Sequence, residues 1–141
     1  MLRSATPADK KAILELARDQ MARYPLLPDR GKISDLLTES ISSARHFVWV
    51  VDVGGQVQGV LVALTGDNLW AQRQNCNIVL WVSDVPGQGV ALLRKFRDWV
   101  VSRRAIKVAG MSPDLELDPR ILKLVQRVGF VQSGGAYLLY N

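Results

Sequence analysis

The chain has 141 residues, enough for one domain with a real core and short for two; 48% hydrophobic and 22% charged residues exclude wholesale disorder. The start, MLRSATPADKK, lacks an apolar leader segment, and the longest apolar runs fall short of a membrane span, so a soluble, cytoplasmic protein with no membrane partner is expected. A net charge of +5 and a pI near 9.7 favour acidic partners, while the single cysteine, Cys76, excludes an internal disulfide.

Leu2 to Ala5 reads as a first strand, and Thr6-Pro7 as the cap and first residue of a helix. Ile13, Leu16, Ala17 and Met21 share one face of that helix, and Tyr24-Pro25 ends it. Ser34 is the expected cap of a second helix carrying Leu37, Ile41 and Ala44 on one side. His46 to Val51 and Gln56 to Leu64, rich in β-branched residues, form a hairpin across Asp52 to Gly55. His46 has no nearby metal-type partner and reads as structural; no metal site is expected.

Gly66 to Asn75 is expected to be a polar loop whose Leu69 and Trp70 form either a lid over a site or, the preferred reading, an anchor onto the core. Cys76 reads as a small, partly buried residue ahead of the next strand, Ile78 to Val82. A Pro-Gly-Gln-Gly turn follows, and Val90, Leu93, Phe96 and Val100 then recur at helical spacing. Arg94, Lys95, Arg97, Arg103 and Arg104 form the strongest basic cluster, read as a solvated helix face rather than a nucleic-acid site. Ile106 to Ala109 is a further strand, and Met111 to Leu117 a loop. Asp118-Pro119 starts a last helix with Ile121, Leu124, Val125 and Val128 inward and Gly129 as its stop. Phe130 to Ser133 and Ala136 to Tyr140 read as a final hairpin, whose edge can pair with a second copy.

The central stretch therefore reads strand, glycine turn, helix. Glycines at the mouth of a helix let a ligand approach the backbone, and unpaired first-turn N–H groups beside the positive dipole end favour anions, phosphates above all.

This order, with the glycine turn after the fourth strand and Val128-Gly129-Phe130 after the last helix, resembles the GNAT superfamily of acetyl-CoA-dependent N-acetyltransferases over essentially the whole chain. More narrowly, LWVSD, LLRKFRDWV, MSPDL and LVQRVGF resemble small GNAT-like proteins encoded by bacteriophages. The resemblance implies a mixed α/β fold in one domain spanning residues 1–141. Its central, mostly antiparallel twisted sheet of six to seven strands would be splayed between the fourth and fifth and flanked by four helices.

The family's acyl-CoA loop, Arg/Gln-x-x-Gly-x-Gly/Ala, falls on Asp84 to Gly89. The resemblance implies a cradle for acetyl-CoA, bound as cosubstrate, made by Gly87, Gln88, Gly89, Val90 and Ala91. Strand residues Leu80, Trp81 and Val82 would receive the pantetheine arm, backbone groups of Leu80 and Val82 pairing with it, and the Val82 amide would polarise the thioester carbonyl.

The chain departs from the family pattern at three positions. Asp84 replaces the usual Arg or Gln, Asn77 replaces a frequent general-base Glu, and Val125 replaces the tyrosine that commonly protonates the departing thiolate. A water chain, Asp114 or Glu116 would stand in for the base, and Tyr137, with Ser112, for the acid.

Two functions follow from the resemblance. One is acetyl transfer to a primary amine of unknown acceptor. The other is a catalytically silent GNAT-fold protein with a protein partner, for example in a bacteriophage virion, which is also where it would then reside.

Overall fold

The computed structural model describes residues 1–23, 27–111, 117–133 and 139. The elements, in chain order, are β1 (Leu2–Ser4), a 3₁₀ turn (Pro7–Asp9), α1 (Lys10–Leu16), α2 (Arg18–Arg23), α3 (Arg30–Ser42), β2 (Phe47–Val53), β3 (Gln56–Asp67), β4 (Gln74–Ser83), α4 (Gln88–Ser102), β5 (Ile106–Met111) and α5 (Pro119–Val128).

The result is the expected mixed α/β fold, with five strands among the described residues rather than six to seven. The sheet runs β1-β2-β3-β4-β5, antiparallel except for the parallel pair β4–β5. Val131, Gln132 and Ser133 are not in a strand, and the expected partner strand from Ala136 to Tyr140 falls, apart from Leu139, outside the described residues.

Strand alternation sends side chains to two separate layers. On one face Phe47, Leu61, Ala63, Cys76 and Ile78 pack with Leu92, Leu93 and Phe96 of α4 and with Val125 and Val128 of α5. Phe47 sits edge-on to Phe96 at 5.3 Å, with Trp49 stacked on it at 5.7 Å and Trp99 tilted against it at 5.4 Å. On the other face Val48, Val50, Val60, Val62 and Leu80 pack with Ile13, Ala17 and Leu37 of the helical layer α1 to α3.

Several local expectations are corrected. The first predicted helix is broken into a 3₁₀ turn and two α-helices around Ala17. α3 starts four residues before Ser34, because the Asp29 carboxylate already accepts the Lys32 N–H at 3.0 Å and caps it there; Ala44 lies beyond its end. Cys76 is fully buried within β4, and burial pushes its thiol up. Leu69 and Trp70 do not anchor the β3–β4 turn: they are 83% and 90% exposed. In α5, Asp118 caps through the Arg120 N–H at 2.8 Å as its sequence suggests, but Ile121 is exposed and only Val125 and Val128 are buried.

His46 accepts the Thr65 N–H on Nδ1 at 3.0 Å, which welds the start of β2 to β3. Burial, and secondarily Arg45, lowers its pKa, in keeping with an acceptor nitrogen. The basic cluster is partly engaged in packing. Lys95 Nζ lies 4.8 Å over Trp49, Arg103 lies 4.9 Å over Trp99, and Arg97 donates to the Val128 carbonyl at 3.1 Å.

Candidate acyl-CoA cradle

β4 is the strand that builds the site. Its pairing with β5 runs from Gln74↔Ile106 to Ile78↔Met111, and beyond Ile78 no described residue pairs with it on that side. The strand itself continues to Ser83 along β3. Among the described residues, the backbone edge from Val79 to Ser83 is therefore left without a strand partner on that side, beyond the stretch where the two strands are joined.

Which groups face that edge follows from the register. Asp84 N–H donates to the Gln58 carbonyl at 2.9 Å, so the directly bonded pairs with β3 are Gln58–Asp84 and, two residues at a time, Val60–Val82 and Val62–Leu80. The N–H and C=O groups of Leu80 and Val82 are thus spent on β3, and those of Trp81 and Ser83 face the open edge. This corrects the expectation that Leu80 and Val82 present their backbone there and that the Val82 amide polarises a carbonyl. The cause is the pleat, combined with a β-bulge. The register shifts between Val62 and Ala63 as it crosses from Leu80 to Ile78, so Val79 is the extra residue. Gln20 of α2 donates Nε2 to the carbonyl of that residue at 3.1 Å and pins the bulge from the helical layer.

At the end of β4 the chain turns into α4 through Gly87, which caps the helix with φ +79°. A side chain in that left-handed conformation costs about 1–2 kcal/mol, so glycine is the natural occupant. Of the five expected cradle residues, Gln88, Gly89, Val90 and Ala91 carry the amides of the first turn of α4. Gln88 N–H donates to Val85 O at 3.1 Å and Ala91 N–H to Gly87 O at 3.2 Å, which removes those two. The amides of Gly89 and Val90 are left without an acceptor among the described residues, at the positive end of a 15-residue helix.

Two side chains hold this arrangement that sequence reasoning did not single out for that task. The Trp81 indole Nε1–H donates to the Gly89 carbonyl at 2.9 Å, so the residue whose backbone faces the open edge also ties β4 to the first turn of α4. The Ser83 hydroxyl donates to Val85 O at 3.1 Å and accepts the Val85 N–H at 3.2 Å, closing the turn between strand and helix. The available signals were a tryptophan that needs an acceptor once half-buried and a serine placed two residues before a turn.

The three departures can be placed as well. Asp84 is exposed at the turn; Asn77 is exposed on β4, its Oδ1 only 3.5 Å from where a Cβ on Gly110 would stand; Val125 is buried in the α4–α5 core. Ser112, Asp114, Glu116 and Tyr137 lie outside the described residues.

No protein-family model and no curated relative matches the chain. Solved structures do match its fold. An acetyltransferase from Trypanosoma brucei superposes with a TM-score of 0.72 at 17% identity, covering 100% of this chain and 99% of that one. A GNAT family acetyltransferase from Staphylococcus aureus gives 0.66 at 14% identity, covering 100% and 98%. A protein described as a transcriptional regulator from Bacillus halodurans gives 0.75 at 15% identity, covering 100% and 99%. At these identities the likeness speaks for architecture alone, and the chain has the fold of the GNAT acetyltransferases.

Proposed function

We propose that the chain is an acetyl-CoA-dependent N-acetyltransferase that moves an acetyl group directly to a primary amine. The observation that carries this reading is the open edge of β4 running into a helix capped by a left-handed glycine. An extended arm could pair with Trp81 and Ser83 as an added strand while its phosphates meet the Gly89 and Val90 amides. The acetyltransferases of the same fold support it.

Acetyl-CoA would supply the activated acyl group; the chain's own part is placement. The Trp81 amide, facing the open edge, takes over the role expected of Val82 as a fixed dipole near the reacting carbonyl. Gln20, bound through Nε2 to the Val79 carbonyl, has no partner on Oε1 among the described residues, and that oxygen is assigned the orienting of an incoming amine. Asn77 cannot accept a proton at neutral pH, so Asp114, Glu116 or water is the proposed base, and Tyr137 with Ser112 the proposed proton donor.

A catalytically silent scaffold is the second reading. Asp84 beside the expected phosphates and the buried Val125 in the place of the thiolate's acid favour it. A bacteriophage origin and a virion location belong to that reading as proposals; none of the matching structures described above bears on them.

Calorimetric titration with acetyl-CoA separates the two. Binding by the unaltered protein, tightened roughly tenfold by Asp84→Arg through reversal of one exposed charge, is the expected result. No heat from either form, with both folded by circular dichroism, overturns the enzyme reading.

A further inference from the structure

The end of the molecule remote from the cradle carries a surface of another kind. The turn between β3 and β4, residues 68–73, is tightly built. Asn68 N–H donates to Arg73 O at 2.9 Å; Asn68 Oδ1 accepts the Trp70 and Ala71 N–H groups at 2.8 and 3.1 Å; Asn68 Nδ2 donates to Asn75 Oδ1 at 3.1 Å. A turn bonded in this way fixes its tip, and here the tip displays Leu69 and Trp70 almost wholly to solvent.

Beside it, Gln74 N–H donates to the Ala105 carbonyl at 2.8 Å, which brings the α4–β5 connection alongside. Exposed Arg104 and Lys107 therefore flank the turn together with Arg73, and Arg103 adds its charge from the ring of Trp99. The nearby carboxylate, Asp67, is engaged by Arg45 at 3.2 Å, and Asp98 of α4 by Arg97 at 3.0 Å.

We propose that this end docks on an anionic phospholipid surface, Leu69 and Trp70 entering the headgroup region while Arg73, Arg104 and Lys107 meet the phosphates. Two adjacent large apolar side chains held outward are costly in water and favourable at a bilayer interface, where tryptophan in particular is at home. The cations supply the complementary charge, and the chain's net charge of +5 has the right sign. A single nucleic-acid strand would use Trp70 and the cations but leave Leu69 in water. This is an interfacial contact, a case that the expectation of no membrane partner, drawn from span length, did not consider. Among the described residues no helix is long and apolar enough to span a bilayer.

The surface is separate from the cradle. The ten residues of β4 from Gln74 to Ser83 span roughly 30 Å, so the proposal stands apart from acetyl transfer.

The test is co-sedimentation of the whole chain with phosphatidylglycerol vesicles and with phosphatidylcholine vesicles, read together with tryptophan emission. Binding to the first and not the second, with a blue shift, is expected. Trp70→Ala should abolish the shift and weaken binding roughly tenfold. The pair Arg104→Ala and Lys107→Ala should weaken it roughly thirtyfold, with the circular dichroism of each variant unchanged. Failure to sediment with phosphatidylglycerol overturns the proposal, as does binding that Trp70→Ala leaves intact. Quenching of Trp70 by oligo(dT), or its burial in a dimer, without vesicle binding assigns the surface to another partner and overturns it equally.

Discussion

Asp9 accepts four hydrogen bonds: Arg3 Nη1 at 2.7 Å and Nη2 at 2.9 Å, Thr6 N–H at 2.7 Å and Thr6 Oγ1 at 3.2 Å. The Arg3 guanidinium foremost, helped by the Thr6 N–H and opposed by burial, holds the carboxyl at about 2. Arg3 also donates Nε to Asp52 at 2.9 Å, so one guanidinium joins β1, β2 and the first turn of the helical layer. A carboxyl depressed from its ordinary value of 3.8 to about 2 contributes about 2 kcal/mol. The sign is that of a folded state binding fewer protons: the contribution is complete above pH 4 or so and is lost as pH falls towards about 2. Denaturant melts across this window should show that loss for the unaltered protein. Asp9→Asn should be weaker at neutral pH by about the same amount and lose less across the window, where Asp52, its carboxyl lowered by the same Arg3, still titrates; parallel curves for the two would show that Asp9 is not the titrating group.

At the scale of elements, the cradle depends on how closely β2, β3 and β4 lie. A Cβ on Gly59 would stand 2.9 Å from Val51 Cγ2, 3.2 Å from Val51 Cβ and 3.2 Å from Ser83 Oγ. A valine branched at Cβ cannot swing clear as a long side chain would. Gly59→Ala is therefore expected to cost about 1–3 kcal/mol in chemical denaturation and to weaken acetyl-CoA binding by displacing Ser83; a variant as stable as the parent would show that the strands yield. The legibility of the sequence divides at this level. Strand and helix periods, Asp118 as a cap and the glycine turn could be read directly, because each is a local pattern with a local cause. The direction of the Leu80 and Val82 backbone could not, because it turns on a bulge at Val79 that only pairing with β3 defines. The same holds for the loss of Gln88 and Ala91 as free donors, which depends on where Val85 O and Gly87 O come to lie. The outward pose of Leu69 and Trp70 was hidden for a like reason: Asn68 closes the turn on itself, and composition alone favoured burial.

For the molecule as a whole, the sheet is one continuous wall between two cores, and β4 belongs to both: Cys76 and Ile78 lie in one, Leu80 and Val82 in or against the other. Because β4 also lines the open edge, a ligand seated there engages a strand that cannot be released without disturbing both layers. Binding to that edge is then binding to the folded state alone, and it should raise global stability by RT ln(1 + [L]/Kd), about 2.7 kcal/mol at a hundredfold excess of acetyl-CoA over Kd. For a chain of 141 residues this corresponds to a rise in Tm of roughly ten degrees. Scanning calorimetry should show a single transition moving upward with ligand concentration, further in Asp84→Arg than in the unaltered protein. A transition that splits, with only part of it moving, would mean that the two cores unfold separately and that β4 does not couple them.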